Sequence, residues 1–540
     1  MLKTFSKIAV RILRAILAVF CAYSLILGCQ KRPVQSFPKT AVIGLTSDFD
    51  TLLELGTANS EALHVIEEML FLTLCELDET LSLQPRLAES WRVSAGGEAV
   101  TFTLRGDVLW SDGQPVTAED VLFTYQLATN PQVGYTGRDR FAEVDTVVVR
   151  DPYTIKFKFK KAYLDALLDL QIPILPEHIL ANVPPEQLRQ AAFNRQPVGN
   201  GPFALKEWRA NDRVVFEAND RYFAGRPKLD RVVFRIVPDE TVLLASLRTG
   251  EIDLLPYISP NKLSEIAGET DLEMRRYPDR GYSFLAFNLK RSVFQDRRVR
   301  QAITRAIQRQ NLIDVLLNGQ GRIVAGPIPP YFWAVDESLP IDLFNPDTAK
   351  ALLDLAGWAD RNHDGWREMG DQALEFTMKT NADNKLRSDA LAMIQADLEK
   401  VGIQAKPELL EFGKLVEDVL QRRDFDTVLL SWKTGYAVNP SQVWHSDAID
   451  NGYNLGAYRN PQVDSLLAAA REENDRAKAK PLWRAFQRLV AEDCPYVFLY
   501  NQDNSAAVRK RLQNVKMDVR GYLINIENWS VEESDVEGAN

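Results

Sequence analysis

Two hydrophobic periods alternate along this chain, and that alternation limits its fold more than any single residue. Residues 153–160 place Ile155, Phe157 and Phe159 on one side and Lys156, Lys158 and Lys160 on the other, the two-residue period of a half-buried strand. Residues 231–237 repeat it with Val232, Phe234 and Ile236. Between and after these lie segments of helical period. Thr117 and Asp120 open one as a capping pair ahead of Val121, Leu122 and Tyr125. Asp296 opens the strongest, with Val299, Ala302, Ile303, Ala306 and Ile307 on one stripe. Leu312, Ile313, Leu316 and Leu317 extend it, and Asn318 and Gly319 supply a stop. Pro346 begins another that Gly357 ends, and Leu391, Ile394, Leu398 and Val401 mark a third. Strands and helices interleave without a repeat or a long low-complexity linker. The expected class is α/β, in more than one lobe.

The first 28 residues follow another logic. Lys3, Lys7, Arg11 and Arg14 precede an apolar run over residues 15–28 with no acid, the pattern of a secretory signal peptide. The run ends Ile26, Leu27, Gly28, Cys29, which resembles a bacterial lipobox, so Cys29 is the expected lipidation site. Gln30 follows where an Asp favours inner-membrane retention, so the membrane stays open, and residues 29–39 read as a spacer. Removing residues 1–28 takes the net charge from −10 to −14. An acidic chain of 540 residues with no later spanning run is expected to be tethered by lipid alone, on the periplasmic or outer side of a bacterial membrane. The acidity argues against nucleic acid as a partner. Of the remaining cysteines, Cys75 and Cys494 are isolated in apolar surroundings and read as buried thiols more readily than as a disulfide.

Enzyme signatures are missing: there is no P-loop, no dinucleotide-binding glycine motif after a strand, no G-x-S-x-G elbow and no H-E-x-x-H. His64, His178, His363 and His445 lie far apart. One segment does suggest a cation. Asp360, Asn362, Asp364, Glu368 and Asp371 carry oxygens near the spacing of a calcium loop, with Gly365 at its sharp turn. The competing reading is an Asx-rich turn leading to a strand near Leu374. No other cofactor is expected.

Read in order, several blocks resemble the bacterial extracellular solute-binding proteins of the dipeptide, oligopeptide and nickel class (family 5), which feed ABC importers. They are LQPRLAESWRVS (83–94), TFTLRGDVLWSDGQPVTAEDVLFTY (101–125), PVGNGPF (197–203), NDRYFAGRP (219–227), LRTGEID (247–253), the helix from Asp296, and YRNPQVDSLL (458–467). The likeness runs collinearly from about Leu45 to about Arg520.

The resemblance implies a type II two-lobed clamshell, with an extra subdomain in lobe I and a hinge the chain crosses twice. The expected division is lobe I over 40–282, lobe II over 283–499, and a return to lobe I with an acidic tail over 500–540. It also implies a monomer that delivers solute to permease subunits, with peptide as the leading ligand class. Peptide-binding relatives hold the ligand's α-amino group with an acid in the loop that here spans residues 431–440, and this loop has none. Tyr436 or Asn439 stands there instead, after Trp432 as an apolar wall. Dipeptide-type relatives hold the carboxylate with an Arg where Asn381 now lies, near Lys379, Lys385 and Arg387. Asp48, Phe49 and Asn59 are expected to line the cleft from lobe I. Alternatives left open are a capped or longer peptide, a sugar, a metal chelate held by His445, and a secreted enzyme or interaction lipoprotein.

Overall fold

The computed structural model describes residues 38–532. The signal segment, Cys29 and residues 533–540 of the acidic tail lie outside the described residues. In lobe I the strand Thr40–Leu45 runs parallel to Arg231–Ile236, which pairs antiparallel with Arg213–Ala218, itself antiparallel to Phe203–Arg209. Val232, Phe234 and Ile236 are buried, as their alternation predicts. A separate four-stranded antiparallel sheet joins Ala88–Val93, Ala99–Leu104, Thr154–Phe159 and Val144–Asp151. The helix Ala118–Thr129 begins at the Thr117–Asp120 capping box, and Trp110 is fully buried beside the tight turn at Gly113.

Two runs of chain cross between the lobes. Leu272–Pro278 and Gly281–Phe287 follow one another, and the 14-residue strand Tyr496–Arg509 pairs antiparallel with both. Its first half therefore belongs to lobe II and its second half to lobe I. Asn501 fixes the junction, donating from Nδ2 to the carbonyls of Asp279 at 2.8 Å and Gly281 at 2.6 Å. Gly281 has no alternative there, since a Cβ would lie 2.4 Å from the Trp432 carbonyl oxygen.

Lobe II continues the sheet through Thr427–Lys433, Glu375–Asn381 and Gln404–Leu410. Gly281–Phe287 is buried on both faces. Leu285 and Phe287 pack into one apolar cluster, and Tyr282, Phe284 and Ala286 into another. The lobe I core draws instead on residues 41–277 and 506–531.

The apolar stripe opened by Asp296 forms two helices rather than one, Arg297–Ala306 and Arg309–Leu316. Ile307 is extended, and the Gln308 amide donates to Asp397 at 2.9 Å instead of continuing the helix. The buried Arg309 donates to the Phe498 carbonyl at 2.8 Å, so satisfying a guanidinium in the core sets the break. Cys75 and Cys494 are both buried and free. Among the described residues no helix is long and apolar enough to cross a membrane.

Candidate functional site

A cavity of about 1140 Å³ opens between the lobes. Its walls come mostly from lobe I, and lobe II contributes residues 433–437. The floor is set by an unusual helix. Asn59 caps Ser60–Val65, accepting the amides of Glu61 at 2.9 Å and Ala62 at 3.0 Å. The helix then widens into a π-turn over Ile66–Leu70, a distortion that re-aims side chains and recurs at functional sites. Ile66, Met69 and Leu70 go into the core, while Glu67 and Glu68 line the cavity.

The turn Gly199, Asn200, Gly201 holds this π-turn in place. The amides of Asn200 and Gly201 donate to the Leu70 carbonyl at 3.0 and 2.8 Å, and Asn200 Oδ1 accepts the Leu72 amide at 2.7 Å. A Cβ at Gly199 or Gly201 would come within 2.2 Å of the Leu70 oxygen or 2.5 Å of the Met69 oxygen. The glycines of the PVGNGPF block thus permit backbone contact that positions the two acids.

Charges of both signs face the cavity. Arg140 lies 3.8 Å from Glu54 and donates to the Gln171 carbonyl at 2.7 Å, and Tyr135 donates its hydroxyl to Glu54 at 2.8 Å. Arg86 pairs with Glu76. Arg280, in the connection between the crossing strands, places its guanidinium 4.3 Å over the Tyr436 ring and has no carboxylate partner among the described residues. Its carbonyl accepts the Thr434 hydroxyl at 2.6 Å, and the Tyr436 hydroxyl donates to the Arg520 carbonyl at 3.3 Å.

Glu67 and Glu68 have neither a hydrogen bond nor an ion pair among the described residues. Both keep some accessible surface, which faces the cavity. Burial pushes both carboxyls up to about 7, aided at Glu67 by the charge of Glu54 and opposed by Arg280, Arg140 and Arg86. Burial, with Arg280 and Lys433 nearby, pushes His64 down to about 3, so its imidazole is neutral.

Of the residues singled out from sequence for ligand contact, Tyr436 lies in the cavity wall. The others line no part of it. Trp432 stacks on Phe284 in the lobe II core, with centroids 5.4 Å apart. Asn439 is an exposed turn residue. Asp48 accepts the Trp208 indole at 3.1 Å and the Asn211 amide at 2.9 Å, so it anchors a hairpin. Phe49 is core, edge-on to Trp208 and Phe234. Asn59 acts through its cap. Lys379 is buried in a 2.9 Å ion pair with Asp418, and Asn381 accepts from Arg387 at 2.8 Å. Lys385 pairs with Asp389 on the surface at 2.8 Å.

The 360–371 loop turns its oxygens on itself. Asp360 accepts the Gly365 amide at 3.1 Å, Asn362 that of Asp364 at 3.0 Å, Asp364 that of Trp366 at 2.8 Å, and Glu368 that of Arg361 at 2.8 Å. Asp371 sits in the turn of the hairpin that follows. Among the described residues no three His, Cys, Asp or Glu converge as metal ligands. His445 lies in a separate pocket of about 340 Å³.

Glu54, Glu67, Glu68, Arg140 and Arg280 went unnoticed in the sequence. The available signal was two adjacent acids inside the apolar run from Ala62 to Leu74.

Residues 82–454 match the profile of the bacterial extracellular solute-binding proteins, family 5, middle region. The oligopeptide-binding protein AppA of Bacillus subtilis (strain 168) is 33% identical over 499 residues, 90% of each chain. Its structure in complex with a nonapeptide superposes with a TM-score of 0.77 at 30% identity, covering 92% of this chain and all of that one. NikZ from Campylobacter jejuni in complex with Ni(L-His) gives a TM-score of 0.78 at 27% identity, with the same coverage. The two-lobed α/β frame, the cavity between the lobes and this collinear likeness together establish that the chain belongs to the bacterial extracellular solute-binding proteins, family 5.

Proposed function

We propose that this protein receives peptides in the interlobe cavity and passes them to the permease subunits of an ABC importer. The observation that carries this is the cavity. At about 1140 Å³ it lies beyond the range of about 300–1,000 Å³ usual for small-molecule sites, and it bears unpartnered charges of both signs. A peptide is long and carries an ammonium and a carboxylate. Similarity to an oligopeptide-binding protein crystallised with a nonapeptide supports the same ligand class.

The working parts are residues 40–282 with the return from 500, and residues 283–499, hinged where the strands cross. The protein binds without chemistry, as a monomer and with no resident cofactor. Cys29 carries the lipid that tethers it outside the cytoplasmic membrane once residues 1–28 are removed. Radiolabelled palmitate should enter the wild type and not a Cys29→Ser variant.

Denaturing the purified protein and analysing what it releases by mass spectrometry tests the ligand class. Recovered peptides are the expected result, and repeated recovery of a sugar alone would overturn it. A metal chelate is the second reading, favoured by the neutral imidazole of His64 in the cavity wall and by the likeness to NikZ. Nickel or iron in the released material would select it.

A further inference from the structure

Building on the peptide reading, we propose that a cationic nitrogen group of the ligand seats against Glu67 and Glu68, with Glu54 behind them. The loop over residues 431–440 offers no carboxylate, and its charged member, Lys433, would repel a cation. The acids that face the cavity come from lobe I instead.

Glu54 supplies an observation independent of the π-turn. It lies on a different element, is 6% exposed, lines the same cavity, and leaves Oε2 without a partner. A buried carboxylate oxygen with nothing to accept from is unfavourable until a donor arrives.

No surrounding cation bonds the pair directly. Arg86 is taken by Glu76, and Arg140 by Glu54 and two backbone carbonyls. Arg280 lies over Tyr436, and Glu527 adds a further negative charge near Glu68. His64, on the preceding turn, is uncharged and contributes nothing. A ligand ammonium or guanidinium would meet two carboxyls that no side chain bonds directly, with Arg280, Arg140 and Arg86 acting on them only at a distance, in surroundings where charge-assisted hydrogen bonds are strong. Burial raises both carboxyls to about 7, so each is partly protonated at neutral pH, and a cation that ionises them would release protons on binding.

The cation is either the peptide's α-amino group or a Lys or Arg side chain, and one experiment separates these sources. The intact lipoprotein, immobilised in detergent, is offered a chymotryptic digest of casein, either untreated or with every amine acetylated. Wild type should retain the untreated pool at least tenfold better. Glu67→Gln/Glu68→Gln should retain both pools alike while melting no lower than wild type at pH 8. Retained peptides enriched in Lys and Arg would assign the side chain, and retained peptides of unchanged composition the α-amino group. Equal retention of both pools by wild type, or undiminished discrimination by the double variant, overturns the inference while the peptide reading stands. Retention of neither pool overturns the peptide reading and this inference with it.

Discussion

Replacing Glu68 with Gln should stabilise the ligand-free protein at pH 8 and leave it almost unchanged at pH 5. The folded environment raises this carboxyl from 4.5 to about 7, first through burial, with Arg86 opposing and Glu67, Glu76 and Glu527 reinforcing the shift. In the unfolded chain the group titrates near its ordinary value. Between those two pH values the folded state holds a proton that the unfolded state has lost. The stability this group contributes is therefore complete below about 4.5, declines as pH rises, and is gone above about 7. A shift of that size corresponds to about 3 kcal/mol. Cavity water screens the carboxylate, which leaves an effect on the order of 1–2 kcal/mol.

Glutamine matches the protonated acid in shape and is neutral throughout. The variant should melt about 1–2 °C above wild type at pH 8, and within a few tenths of a degree of it near pH 5. Melting curves of ligand-free protein across pH 5 to 8 give the comparison directly. An equal shift at both ends, or a lower melting point at pH 8, would refute the reasoning, because burial of charge could then not be what raises the carboxyl.

Gly281→Ala should destabilise the protein by about 1–3 kcal/mol through the clash with the Trp432 carbonyl, against a gain of about 0.5–1 kcal/mol expected for Ala in an unobstructed strand. A higher melting point would show that the strands accommodate the methyl group. Asp253→Ala should cost about 1.5–3 kcal/mol, read by urea unfolding, since the Arg511 it leaves behind is partly exposed. It removes a fully buried carboxylate that holds Arg511 at 2.6 and 2.7 Å and accepts the Val42 amide at 2.9 Å. Millimolar calcium should leave the melting point unmoved, since the oxygens of Asp360, Asn362, Asp364 and Glu368 already accept backbone amides. Stabilisation by calcium that EDTA reverses would contradict this.

What the sequence revealed and what it hid follow from the range of the interactions. The strand at 153–160, the Thr117–Asp120 cap and the helix start at Pro346 each express a pattern complete within a few residues, and each appears in the fold. The helix from Asp296 misleads because its break depends on Asp397 and Phe498, far along the chain. The cavity is harder still to read. Glu54, Arg280, Tyr436 and Arg520 lie far apart in the chain and meet only after both crossings. Likeness to relatives pointed to the loop of Tyr436, which lines the cavity. It also pointed to Asp48, Phe49 and Asn59, which lie close in sequence to the cavity wall but serve a hairpin, the core and a helix cap. Side-chain direction decides such cases, and a strand or helix start does not disclose it.

The division of labour between the lobes bears on how closure is driven. Away from the crossing strands, polar contact between the lobes is thin. Lys161 pairs with Glu472 at 2.8 Å with both side chains half exposed, and the Leu164 amide donates to the Arg471 carbonyl at 3.3 Å. An exposed pair of this kind contributes at most about 1 kcal/mol, so such contacts hold the lobes together weakly. Other bridges, among them Lys433 with Asp279 at 3.6 Å, Thr434 with Arg280 and Tyr436 with Arg520, involve the cavity wall itself. A ligand bound mainly to lobe I shifts the equilibrium only by what it gains when residues 433–437 arrive. Arg280 belongs both to the connection between crossing strands and to that wall, so a ligand resting on it would touch the same residue that joins those strands.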